Sequence, residues 1–214
     1  TIIEEEVLLP SATVERAYPQ FSPDGKELAF IEERNRLMVI NLDTKKVRQI
    51  TDGSTWFSTD GNFDYQWSPD GKWFTLEFIG NRHDPYSDIG LVSAKGDSPI
   101  TNLTNSGYMS GSPRWVLDGN AILFTTERYG MRAHASWGSQ NDAMLVFLNQ
   151  DAFDKFRLSK EDYELQKELE KELQVLKVQH QGSLLMITAR GTRSEIIEKI
   201  LSLIHISEPT RHAQ

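Results

Sequence analysis

The chain has 214 residues, 38% of them hydrophobic and 25% charged, with a formal net charge of -8 and no cysteine. The acidic balance argues against nucleic acid or anionic lipid as a partner, since both require a basic patch. The missing thiols exclude disulfides and thiolate metal centres, and no run of about 18 apolar residues is present to span a membrane.

The chain opens at Thr1 rather than at a methionine, so its natural start is expected upstream. The compartment is not legible from it. The first strong signal is a repeat. FSPDGKELAF begins at Phe21, WSPDGKWFTL at Trp67 and WVLDGNAILF at Trp115, at spacings of 46 and 48 residues. That period suits a four-stranded propeller blade.

Each copy carries an aromatic residue, a turn ending in Asp-Gly, and a strand. Pro23 and Pro69 preset φ at the first corner, and Asp24-Gly25, Asp70-Gly71 and Asp118-Gly119 supply a side-chain cap and a positive φ. The β-rich runs at 28–31, 73–79 and 121–126 follow the turns, and second strands are expected at 37–42, 89–93 and 144–148. VRQIT, ending at Thr51, and ITNLT, ending at Thr104, close the first two units. The fold class is therefore all-β, a partial propeller of about three four-stranded blades followed by a charged α-helical segment. Trp67, Trp73 and Trp115 are expected in the blade cores.

After the third unit, residues 159–173 carry a helical pattern. Ser159 can cap it with Asp162 at the acidic position of a capping box, and Leu165, Leu169, Leu173 and Leu176 fall on one stripe. Residues 174–200 fit no repeat. Residues 201–211 read LSLIHISEPTR, which matches the translation of a sequencing-library adapter and is set apart from fold reasoning. The expected domains are thus 1–158 (propeller), 159–173 (helix or linker), 174–200 (unassigned) and 201–214 (artefact).

SPDGK followed by an apolar strand resembles the TolB-like propeller repeats. RYGMRAHASWGSQ and FDKFRLSKEDYELQKELEK resemble the bacterial tricorn-type serine peptidases, where a blade leads into a charged helical insertion. The resemblance covers residues 17–173. It implies a non-catalytic propeller that gates or scaffolds an enzyme cutting short peptides through a serine, with no cofactor. It also implies peptides or protein substrates of the parent enzyme as partners, and it leaves a homo-oligomer open. A stand-alone TolB-like interaction module and the propeller of a prolyl oligopeptidase relative are the rival readings.

No catalytic residue can be assigned. Gly107, Ser110 and Gly111 have the wrong spacing for a Gly-x-Ser-x-Gly elbow. His83, His134 and His180 form no recognisable triad with a serine and an aspartate. Asp60, Asn62 and Asp64 begin like a calcium loop, but Tyr65 and Gly71 occupy positions that need glycine and glutamate, so this stretch is expected to be an inter-strand loop. The candidate substrate-channel residues are Arg128, Arg132 and His134, in the loop after 121–126. Propeller loops line an end of the channel, and cations there could steer a peptide carboxylate.

Overall fold

A computed structural model describes residues 5–10, 13–56, 62–80, 85–130 and 140–179 (of 172–179 the backbone alone). The chain divides into two compact units, 1–157 and 158–214.

The first unit contains three antiparallel sheets in chain order. Sheet 1 holds β1 (Arg16–Phe21), β2 (Glu27–Glu32), β3 (Arg36–Asn41) and β4 (Val47–Gln49). Sheet 2 holds β5 (Tyr65–Trp67), β6 (Trp73–Phe78), β7 (Asp88–Ser93) and β8 (Thr101–Asn102). Sheet 3 holds β9 (Ser110–Val116), β10 (Ala121–Thr126) and β11 (Asp142–Phe147). Each strand pairs with the next along the chain, the connectivity that short hairpin turns dictate.

Sheet 3 departs from the expected four strands: three are present among the described residues. After β11 the chain turns into helix α1 (Gln150–Phe156) instead. The Asn149 side chain accepts the Ala152 N–H at 2.8 Å and so starts the helix. Phe153 and Phe156 stack on Phe147, with ring centroids 5.3 and 5.2 Å apart.

Two apolar layers lie between the sheets. Alternation along β2, β3 and β6 sends Ala29, Ile31, Leu37 and Val39 of sheet 1 against Phe74, Leu76 and Phe78 of sheet 2. The opposite side of sheet 2 sends Ile89 and Leu91 against Ile122, Phe124, Met144 and Val146 of sheet 3. Gly90 makes the first layer possible. A β-carbon there would sit 2.5 Å from Ile100 Cγ2 and 2.9 Å from Phe78 Cδ1.

The repeated turns form the same hydrogen-bonded knot twice. The Gly25 N–H donates to the Ser22 carbonyl at 2.9 Å, and Gly71 donates to Ser68 at the same distance. Ser22 Oγ donates to Asp24 Oδ1 at 2.7 Å and Ser68 Oγ to Asp70 Oδ1 at 2.6 Å, while the N–H groups of Lys26 and Lys72 donate to those same carboxylate atoms. The third copy builds a different turn, with Leu117 at φ 51° and Asp118 at φ 54°. Proline cannot adopt that φ, which explains why Ser-Pro is replaced there by Val-Leu. Successive turns also touch: a β-carbon on Gly71 would lie 3.7 Å from Pro23 Cδ, and one on Gly119 3.3 Å from Pro69 Cδ.

The serine hydroxyl, more than any other group, holds the Asp24 and Asp70 carboxyls below the usual carboxylate range. A folded pKa below the unfolded one stabilises the fold above the unfolded pKa, and that contribution disappears as pH falls through the folded value. The urea midpoint is therefore expected to fall between about pH 5 and 3, and to fall less in a D24N/D70N double variant, whose amides accept the same bonds without titrating. Parallel pH profiles for the two proteins would refute this role of the knots.

The tryptophans divide. Trp67 is buried, and its indole N–H donates to the Gln20 carbonyl of sheet 1 at 3.2 Å. The half-buried Trp115 repeats the contact one sheet later, donating to the Gln66 carbonyl at 3.3 Å. Trp73 departs from expectation: it is 40% exposed, because it opens β6 on the face opposite Phe74, at the rim of the groove between sheets 2 and 3. A second link between sheets 1 and 2 comes from Arg48. Its guanidinium grips Glu27 at 2.5 and 2.7 Å within sheet 1, and its Nε–H donates to the Ala94 carbonyl of sheet 2 at 2.8 Å.

The second unit contributes α2 (Lys160–Gln179), longer than the expected 159–173. Ser159 Oγ accepts the Asp162 N–H at 3.1 Å and donates to the Asp162 carboxylate at 3.1 Å. This is a serine cap in which the acid meets the hydroxyl rather than the backbone. Leu165 on the expected stripe is exposed.

Candidate functional site

The loop following β10 begins at Glu127, whose N–H donates to the Met109 carbonyl at 3.0 Å and so fixes where the strand ends. Arg128 comes next. Its guanidinium is exposed and lies 5.3 Å from the centroid of the exposed Tyr129 ring. Arg132 and His134 lie outside the described residues, as do His83 and His180. Of the three candidate channel residues, Arg128 alone can be placed.

Ser110, the serine nearest in pattern to a nucleophile, is buried, and its Oγ bonds to Thr126 Oγ1 at 3.2 Å. That contact ties β9 to β10 and gives the hydroxyl no general base. Among the described residues no group of three or more histidine, cysteine, aspartate or glutamate side chains could hold a metal ion. Of the stretch that begins like a calcium loop, Asp60 lies outside the described residues, and the Asp64 carboxylate faces the Arg114 guanidinium at 3.6 Å. No described helix is long and apolar enough to cross a membrane.

Two groups at this end of the sheets went unnoticed in the sequence. Glu77 lies on β6 between Leu76 and Phe78, which face sheet 1, so its side chain turns toward sheet 3. Oε1 accepts the Ser112 N–H at 2.6 Å and Oε2 accepts the Asp64 N–H at 3.2 Å. Burial pushes its carboxyl above the usual range, against the effect of those two hydrogen bonds. The signal was present: a lone acid in WFTLEF breaks an otherwise apolar and hydroxyl-bearing strand. Asp88 is the second, buried and satisfied by Asn102 Nδ2 at 2.8 Å, Thr104 Oγ1 at 2.6 Å and the Ser106 N–H at 3.0 Å. It pins the last strand of sheet 2 and the loop beyond it.

Comparison with known proteins agrees with the sheets. Residues 4–78 match the dipeptidyl peptidase IV (DPP IV) N-terminal region. Over 119 residues the chain is 29% identical to the uncharacterized peptidase YuxL of Bacillus subtilis, a match covering 54% of this chain and 18% of YuxL. The chain thus spans less than a fifth of that curated relative. Among solved structures, a prolyl endopeptidase superposes with a TM-score of 0.50 at 21% identity, covering 69% of this chain and 23% of the other. TolB from Acinetobacter baumannii superposes with a TM-score of 0.46 at 21% identity, covering 67% of this chain and 34% of TolB. The chain is mostly β, and its antiparallel sheets are similar in fold to propeller domains.

Proposed function

We propose that this chain is the non-catalytic propeller portion of a serine peptidase that degrades short peptides, and that the parent enzyme is of the tricorn type. The observation carrying the peptidase reading is the repeated sheet with its Ser-Pro-Asp-Gly knot, over a stretch that matches the DPP IV N-terminal region at 4–78. What supports the tricorn type is the pair of charged helices that follows sheet 3, together with the RYGMRAHASWGSQ stretch. In this reading the sheets filter peptides on their way to a serine nucleophile. Arg128, Arg132 and His134 line that route and attract the substrate's terminal carboxylate.

The DPP IV match itself favours a second reading, the propeller of a prolyl oligopeptidase relative. The parent reading frame separates the two. Sequencing past the codon for Leu173 is expected to reveal further propeller repeats and then a PDZ-like and serine peptidase region. A Gly-x-Ser-x-Gly elbow on an α/β-hydrolase pattern would establish the second reading instead. A frame that closes after a few more repeats would overturn both and leave an interaction module.

A further inference from the structure

A cavity of about 390 Å3 opens between the loop ends of sheets 2 and 3. Trp56, Ile79 and Met109 give it apolar walls, and Glu77 and Asn141 bring polar groups to it. Its chemistry is lopsided. The two backbone donors on Glu77 leave each carboxylate oxygen with acceptor capacity to spare. The neighbouring guanidinium, Arg114, is paired with Asp64. Among the described residues that line the cavity, Glu77 is thus the one charged side chain, in a space large enough for a small molecule.

We propose that this cavity binds an organic ammonium group carried on a short apolar stem, with Glu77 as its counter-ion. The chemistry selects that class in three steps. A carboxylate at the site repels anions. A hard metal ion needs about six to eight oxygen ligands, whereas three of the walls are apolar and no cluster of three metal-ligating side chains is found among the described residues. An ammonium needs few partners, gains most where its counter-ion is poorly hydrated, and is attracted to the face of an aromatic ring such as Trp56. The site is independent of the peptidase reading, since it concerns what the sheets themselves hold.

Calorimetric titration of the whole chain tests it. The probes are leucinamide and n-butylammonium, with N-acetyl-leucinamide and n-butanol as neutral counterparts. Saturable binding of at least one cation is expected, with no binding of its neutral counterpart. Leucinamide alone would indicate a peptide amino terminus as the natural source, and n-butylammonium alone a lysine-like side chain. In Glu77→Gln the affinity is expected to drop by about tenfold or more, as for the loss of a charge-assisted hydrogen bond. Glu77 also anchors two backbone N–H groups, so Trp56→Leu serves as the second variant: it keeps the wall apolar, removes the ring face and should weaken the cations alone. Equal binding of neutral and charged probes, no binding of either cation, or cation binding unchanged in both variants would overturn the proposal.

Discussion

Replacing Phe74 by alanine is expected to lower the unfolding free energy by about 3–5 kcal/mol, the range for deleting a fully buried aromatic side chain. Phe74 has no solvent exposure. Its ring centroid lies 4.1 Å from that of Trp67 and 6.0 Å from that of Tyr65, and Ala29, Ile31, Leu37 and Val39 come from the neighbouring sheet to the same layer. Neither aromatic neighbour is free to close the gap. The Trp67 indole is held by the Gln20 carbonyl, and the Tyr65 hydroxyl donates to the Tyr18 carbonyl at 2.5 Å. A domain is stable by about 5–15 kcal/mol in total, so the variant should be near its folding limit. Urea denaturation reads the effect. The adjacent Trp73→Ala, at a position 40% exposed, should cost clearly less, about 2 kcal/mol, if burial rather than aromatic content is responsible.

Gly96→Ala should destabilise by about 3 kcal/mol, a large effect for one methyl group. Gly96 closes the turn after β7 at φ 72°, where an L side chain is already strained. The added carbon would also stand 2.3 Å from the Gln49 carbonyl oxygen. That obstacle is backbone at the end of β4, so no side-chain rotation relieves it, and sheets 1 and 2 would have to separate locally. Gly25→Ala is the natural control. Its φ is 70°, yet nothing lies within 4 Å of the new carbon, so only the conformational strain of about 1 kcal/mol should appear. Similar losses for the two variants would show that the close approach of Gly96 to sheet 1 is not a constraint on the fold.

The strands were legible because their turns are written in residues with narrow conformational choices. Asp-Gly marks a positive φ and Pro a fixed one, so 121–126 coincides with β10 and 73–79 differs from β6 by one residue. Helix α1 was missed because seven residues give too short a window for periodicity. Its cues, the Asn149 cap and the Phe153–Phe156 spacing, gain meaning only once Phe147 is known to present its ring to them. Trp73 misled for a related reason: composition says that a tryptophan is apolar, but the alternation beginning at Phe74 decides which face it occupies. At the loop end, Arg128 could be located from its strand. Glu77 was marked only as the lone acid of its strand; its meeting with the Ser112 N–H of a neighbouring sheet is something no local pattern announces.

The seating of Gly71 on Pro23 and of Gly119 on Pro69 gives the repeats a grammar of succession. Each unit offers a ring for the following one to rest on and a bare α-carbon to rest on the preceding one, so a glycine in one unit answers to a proline in another. Duplicated units are therefore not interchangeable parts. The middle unit, with both halves of the joint, could be copied in tandem. The third, with Leu117 where the others have proline, can follow such a unit but cannot take its place. Mutational tolerance at these glycines should accordingly be set by the identity of a residue nearly fifty positions away, and chimeras that exchange single units should succeed or fail by their order.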